Sequence, residues 1–521
     1  METFEWIIVL LIAAAFLAEL ARRIGAPYPT LLALGGAGVA FLPASPRWTL
    51  DPQLALALFV APVLLDAAYD TSLRDLRANW RPVAGLVIAA VGTTVVGVAL
   101  ACHWLMPGMP WAIAVAVGAI VAPPDAAAAT AVMRQVGLPQ RVLNVLEGES
   151  LLNDASALFI YRLALTTLVA GPLSFGDYMP MFLLTVFGSI AAGIVLAIVL
   201  RPITTASDHV AISLILQFAF TFAVWILAEK VGLSGILTMV AFAMTMARGG
   251  GPRIPARMRV PILAVWEAVV FVLNALAFVL IGMQLRPIWE RLGSGTGTPR
   301  IDAVVAAIVV LGVAIATRFL WVMGYSALVM FQNRKASPVT RKNRSWGAGL
   351  VVSWAGMRGI VTLAAAFAVP QTLPNGSPFP YRDIILLCAF VVVFGTLVLQ
   401  GLTMKPIIRL LKLSDDDPVA KEVRTGRTLI YQALLDSIEA DDSMHAKLLR
   451  KEYQAVVELN ASHDHGKPLN EVPGGPLRRK AIDAARRKVI DLRNEEVIGD
   501  QAYRTLVQEL DWAELSAGGN G

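Results

Sequence analysis

The chain has 521 residues, of which 56% are hydrophobic and 16% charged, with a formal net charge of +6. Soluble domains carry about 25% charged residues, so an ordinary soluble enzyme is excluded. The excess arginines fall in short loops between apolar runs, which reads as topology and not as a nucleic-acid surface. Cys102 and Cys388 both lie inside apolar runs, which excludes a disulfide framework or a zinc site.

Residues 1–408 form one apolar run after another, and residues 409–521 are rich in Asp, Glu, Lys and Arg. The shift predicts a membrane domain followed by a soluble tail. A bilayer core needs about 20 apolar residues per helix. On that rule the sequence predicts about thirteen spans, near 4–20, 28–43, 53–70, 83–106, 111–133, 142–170, 178–200, 209–228, 234–247, 261–285, 302–329, 347–369 and 383–404. None of the runs alternates in polarity, which excludes an outer-membrane barrel. The first run lacks a basic leader and is followed by Arg22 and Arg23. It reads as a transmembrane helix with its N-terminus outside, not as a cleavable signal. Counting Lys and Arg in the loops gives seventeen on the side that would be cytoplasmic against six on the other. That asymmetry predicts an external N-terminus and a cytoplasmic tail in the cell's inner membrane.

Charged side chains inside a bilayer are costly and mark function by default. Asp66, Asp125, Glu147, Glu149, Asp154, Glu267, Arg318 and Arg358 all fall within apolar runs. Helix-tying salt bridges are the bland account of such residues, but acids outnumber bases here. The fifth span carries Val121-Ala122-Pro123-Pro124-Asp125-Ala126 at its centre. Consecutive prolines remove donors and push the preceding residue out of helical geometry, which predicts a broken helix beside Asp125. In the sixth span, Glu147, Ser150 and Asp154 share one helical face, and Glu149 and Asn153 share the next. Such a surface offers the hard oxygen ligands a small cation prefers. The twelfth span carries Ser353-Trp354-Ala355-Gly356-Met357-Arg358-Gly359, a second expected break and a plausible inverted-repeat partner of the fifth span.

Apolar residues in the tail recur at helical spacing through Leu429, Ala433 and Ile438, and again through Ile482, Val489, Leu492 and Val497. They predict two helical stretches, about 417–460 and 476–515, around a breaker-rich segment from Asp464 to Pro476. His445, His463 and His465 read as solvated residues, with pH sensing the rarer alternative. No nucleotide-binding glycine loop is present, so energy is expected from an ion gradient, without a cofactor.

The octapeptide Gly148-Glu149-Ser150-Leu151-Leu152-Asn153-Asp154-Ala155, with Leu138-Pro139 before it and Gly356-Met357-Arg358-Gly359 after it, resembles the hallmark of the sodium/proton exchangers of the monovalent cation/proton antiporter-1 family. The likeness covers the whole membrane domain. It implies an all-α fold of about thirteen transmembrane helices with inverted repeats, broken helices at spans five and twelve, and a homodimer with a rocking core. By resemblance, Asp154 would bind cation and proton in turn, with Asn153 its neutral neighbour and Ser150 a supporting ligand. Asp125 would be the broken-helix aspartate, Glu149 would pair with Arg318, and Arg358 would balance the half-helix ends. Asp66 falls where many members place an acid near the cytoplasmic funnel. The family usually reads Thr-Asp-Pro where this chain reads Pro124-Asp125-Ala126. The lost threonine removes one oxygen ligand, and the Pro124 carbonyl remains available.

A buried carboxylate favours its neutral form and can hold a proton near physiological pH. A cation held by the same oxygens competes with that proton, and alternating access moves each in turn. A neutral Asn153 predicts one cation per proton, with Na⁺ or Li⁺ as the expected cation. Alternatives are a potassium/proton antiporter of the same fold, a cation channel or ion sensor, and an organic-anion symporter. The absence of a carbonyl-filter repeat disfavours the channel, and the acid-rich centre disfavours the anion.

Overall fold

The structure is a computed structural model, and it describes residues 2–42, 52–125, 140–171, 175–205, 207–250, 255–292, 300–332, 346–374, 376–411, 418–462, 475–495, 497 and 500–516. Several sequence expectations lie outside these residues. They are Arg47, the second half of the fifth span with Ala126, Arg134 and Leu138-Pro139, Arg253, the basic loop 333–345, and His463 and His465. The chain divides into two compact units, Met1–Ser414 and Asp415–Gly521.

Among the described residues the first unit is helical apart from an isolated bridge between Thr372 and Pro378. It opens with α1 (Glu2–Ile24), α2 (Tyr28–Ala40) and α3 (Gln53–Tyr69), then the short α4 (Leu73–Ala78). Next come α5 (Trp80–Leu105), α6 (Trp111–Val121) and α7 (Gln140–Ala170). The middle of the unit is α8 (Met179–Thr204), α9 (Val210–Lys230), α10 (Gly235–Gly250), α11 (Ala256–Met283) and the short α12 (Leu285–Arg291). It closes with α13 (Arg300–Gln332), α14 (Trp346–Trp354), α15 (Ile360–Phe367) and α16 (Arg382–Leu411). Seven of these helices are long and apolar enough to cross a bilayer unaided. The expected twelfth span is broken: α14 ends at Trp354, and α15 starts only at Ile360. α6 likewise stops at Val121, and after the capping Ala122 the residues Pro123 to Asp125 are not helical. Three helices carry a π-helical stretch, at Leu56–Val60, Gly85–Ala90 and Leu184–Gly188, which the sequence pattern did not announce.

The spans pack chiefly in two groups. One contains α5, α6, α7, α13, α14, α15 and α16, and the other α1, α2, α3 and α8 to α11. In the first group, the triplet α5–α6–α7 is matched by α13, the broken α14/α15 pair and α16. The start of α5, the end of α13 and the start of α14 line one cavity, so the two triplets run in opposite directions. In the second group α2 and α11 touch backbone to backbone. A Cβ on Gly36 would lie 2.1 Å from the Val279 carbonyl oxygen, and one on Gly282 would lie 2.1 Å from that of Ala33. Small residues at such crossings recover van der Waals contact that lipid cannot replace.

The second unit corrects the sequence reading in detail. Each of the two expected helical stretches is a helix pair: α17 (Pro418–Ser437) and α18 (Met444–Ser462), then α19 (Gly475–Asn494) and α20 (Asp500–Ser516). The first break is built by local capping. The Ser443 hydroxyl accepts from the Ala446 amide at 3.1 Å, and the Ser443 amide donates to Asp441 Oδ1 at 2.8 Å. Arg450 reaches back from α18 to donate to the carbonyls of Ile438, Glu439 and Asp441. Serine satisfies orphan amides at a helix start, and this local signal outweighs the apolar periodicity that ran through it.

Candidate functional site

The two breaks meet. The Asp125 amide donates to the Met357 carbonyl at 2.6 Å, joining the non-helical ends that follow α6 and α14. The Asp125 carboxylate lies against Gly359, the residue that caps the start of α15, so closely that a Cβ there would fall 1.6 Å from Oδ2. Glycine is required at this position for the carboxylate to sit at the positive end of a half-helix.

Arg358 is fully buried in the same crossing. Its Nε donates to the Val121 carbonyl at 3.0 Å, where α6 ends, and its Nη2 to the Ala314 carbonyl of α13 at 3.3 Å. Nη1 donates to the Gly356 carbonyl, and the backbone amide donates to Thr396 Oγ1 of α16 at 3.0 Å. A guanidinium placed on carbonyl ends offsets the negative poles of the two half-helices that stop here. Thr396 was missed from sequence; its only signal was a hydroxyl in the strongly apolar run of α16.

α7 supplies the remaining groups. Asn153 and Asp154 are both buried. Asn153 Nδ2 donates to the Pro124 carbonyl at 3.1 Å, which orients the amide so that Oδ1 faces the interior with no hydrogen-bond partner among the described residues. Asp154 follows Asn153 and Asp125 follows Pro124, so this hydrogen bond brings together the two segments that carry the carboxylates. Ser156 ties this turn of α7 to the π-helical part of α5 by donating to the Val87 carbonyl at 3.0 Å. One turn earlier, Glu149 forms a two-point pair with Arg318 of α13, at 2.5 and 2.8 Å, and Arg318 also donates to the Val352 carbonyl at 3.1 Å. Both partners are buried. A buried pair with this geometry fixes α7 against α13 and leaves neither charge exposed to the apolar interior.

The structure thus brings together Pro124, Asp125, Asn153, Asp154 and Arg358, with Glu149 and Arg318 beside them. Ser150 and Glu147 are half-buried on α7, and Asp66 is half-buried on α3, near where α3, α7 and α10 meet at Ala68, Leu151, Val240 and Ala243. Glu267 does not join this group: it is exposed on the outer side of α11, because Trp266 and Val270 take the inward face of that helix. Its position in an apolar run suggested burial that the helix rotation does not give it. A second polar tie went unread in the sequence. Glu229 at the end of α9 accepts from Arg162 of α7 at 2.8 Å and from the Gly235 amide that begins α10 at 2.9 Å.

Two broken helices that cross inside an apolar helical bundle, with carboxylates beside the crossing, are the architecture of secondary transporters. The transmembrane sodium/hydrogen exchanger family matches residues 7–410, and the chain belongs to that family. An uncharacterized Na⁺/H⁺ exchanger of Mycobacterium tuberculosis is 32% identical, over 98% of this chain and 95% of its own length. A sodium, potassium, lithium and rubidium/H⁺ antiporter of Bacillus pumilus is 28% identical, over 99% of this chain and 78% of its own. In fold, the chain is similar to the sodium proton antiporter MjNhaP1 of Methanocaldococcus jannaschii. The TM-score is 0.60 at 17% identity, covering 79% of this chain and 99% of the other.

Proposed function

We propose that the chain exchanges Na⁺ or Li⁺ for H⁺ across the cell's inner membrane, one for one, with cation and proton competing for Asp154. The observation that carries this reading is the donor set around it. Asp154 is buried, the Asn153–Pro124 hydrogen bond brings the Asp125 segment beside its helix, and the carbonyl-type oxygen of Asn153 has no partner among the described residues. A carboxylate removed from water holds its charge only when a cation neutralises it, and otherwise takes a proton. Binding either one therefore excludes the other. Asn153 is neutral, so one carboxylate charge is exchanged per cycle and the reaction is electroneutral. Pro124 and Ser150 are assigned as further oxygen ligands, Glu149 with Arg318 and Arg358 as supports, and Asp66 as the acid at the cytoplasmic entrance. The protein works as a homodimer with its N-terminus outside and its tail in the cytoplasm, serving pH homeostasis.

A second reading rests on Pro124. With a proline carbonyl where the resembled family usually has a threonine hydroxyl, the site is less able to contract around a small ion, and K⁺ becomes a competing substrate. The Bacillus pumilus relative is described as taking sodium, potassium, lithium and rubidium.

The test is cation-induced dequenching of a pH-gradient dye in everted vesicles, wild type against Asp154→Asn. Na⁺ or Li⁺ is expected to dequench in the wild type and not in the variant. Dequenching by K⁺ alone would keep the exchange and change the substrate. No response to any alkali cation from about pH 6 to 9, with insertion verified, would end the antiport reading. Electroneutrality predicts the same rate whether or not the membrane potential is clamped with valinomycin and K⁺.

A further inference from the structure

A cavity of about 710 Å³ lies away from the crossing, between α4, α5, α7, α13 and α14. A space of this size is far beyond a structural water site. It sits at one end of the bundle, where α4 ends, α5, α7 and α14 begin, and α13 finishes. The lining is mainly apolar, with Leu86, Val145, Val322 and Val352 beside Ser326, and it also includes Arg77, Arg81, Trp80 and Tyr325.

The rim chemistry is specific. Arg77 and Arg81 are exposed, one helical turn apart in sequence, and neither has a hydrogen-bond or ion-pair partner among the described residues. The nearby Asp75 is already engaged by Arg74 at 3.6 Å. The Arg81 guanidinium stands 5.6 Å from the centre of the Trp80 ring, and Trp80 is itself largely exposed. Two exposed guanidinium groups, an amphipathic indole and a phenol beside a largely apolar hollow match an amphiphile with an anionic head and a hydrocarbon body. A metal cation is excluded by the rim's charge. A soluble anion would leave the apolar walls uncovered.

We propose that this cavity is a binding site for one anionic phospholipid, its phosphodiester between Arg77 and Arg81 and an acyl chain along the Val145, Val322 and Val352 wall. The site is separate from the crossing and does not depend on which cation the protein carries. Its occupant packs against α5, α7, α13 and α14, four helices that also hold the central polar groups.

The test is native mass spectrometry of the full-length protein in detergent, titrated with dioleoyl phosphatidylglycerol or dioleoyl phosphatidylcholine. The wild type is expected to retain one phosphatidylglycerol in preference to phosphatidylcholine. Arg77→Gln and Arg81→Gln should each weaken that binding about fivefold, and the double variant about thirtyfold, from the surface contribution of each charge. The double lysine variant should keep most of it. Val145→Trp fills the wall without altering charge and should also lower binding. Equal retention of the two lipids, or wild-type affinity in the double glutamine variant, would overturn the proposal. So would full competition by about 10 mM inorganic phosphate, which would assign the rim to a free anion. Retention of the wild-type elution volume by each variant separates loss of the site from loss of the fold.

Discussion

α1 and α16 have nearly the same apolar character, with mean window hydropathies of 2.2 and 2.5, yet 17% of the first window is buried and 72% of the second. α1 turns Phe16 and Ile12 outward, whereas α16 threads the centre and presents Thr396 and Gln400 to its neighbours. In water such a difference in burial would leave a large mark on composition. In a bilayer the lipid tails are as apolar as the core, so hydropathy selects the spans and says little about which face lipid. What separates interior from periphery is polar chemistry and steric fit.

The sharpest way to break that contrast is at Gly359. Gly359→Ala drives a methyl into the Asp125 carboxylate, and a displacement of this size at a binding centre is expected to lower exchange about a hundredfold. Gly92→Ala in α5 meets nothing within 4 Å and should leave the dequenching rate unchanged. Equal losses in the two would mean that the crossing is not the sensitive region.

Charge gives the next largest effect. Glu149→Gln leaves the Arg318 guanidinium buried without a counter-charge and should cost about 3–5 kcal/mol, read from thermal unfolding in detergent. Replacing both, as Glu149→Leu with Arg318→Met, should recover much of that loss. The peripheral pair is different: Arg162 and Glu229 are 36% and 39% exposed, and Arg162→Gln should cost no more than about 1 kcal/mol.

Apolar packing sharpens the comparison further. Phe278→Ala in α11, where the ring is 2% exposed, should cost about 2 kcal/mol through the cavity it leaves. The transfer contribution is absent because lipid matches the interior. Phe16→Ala, at 73% exposure, should fall within about 0.5 kcal/mol of wild type by the same assay.

The smallest effect lies in the second unit. The Ser443 amide and hydroxyl, with Arg450 nearby, hold the Asp441 carboxyl below the usual carboxylate range. Because the folded value is depressed, its contribution is present above about pH 4, the unfolded value, and is lost as pH falls through the lower folded value. Hydrogen-exchange protection in the first turn of α18, corrected for the intrinsic pH dependence of amide exchange, should fall over that acid range in wild type. In Asp441→Asn it should stay level.

The sequence made the crossing legible because its markers are costly in lipid. Paired prolines before Asp125, a mid-span Arg358 and the acids of α7 have few innocent explanations in an apolar run. The burial of α16, the outward turn of Glu267 and the π-helical stretches were not legible, since each depends on how a helix packs against others. That packing is set by neighbours distant in sequence. The tail was misread for the opposite reason: Asp441 and Ser443 act within a few residues, but a continuous apolar period concealed them.

The broken helices also constrain how the chain can be made. α6 has 11 residues, α14 has 9 and α15 has 8, each well short of the roughly 20 that a helix needs to cross the hydrocarbon alone. Arg358 is held by carbonyls of Val121 and Ala314 and by the hydroxyl of Thr396, which arrive before and after it during synthesis. The segment around Arg358 is therefore costly in lipid until α16 and the first triplet supply its partners, which makes assembly of the second triplet cooperative with that of the first.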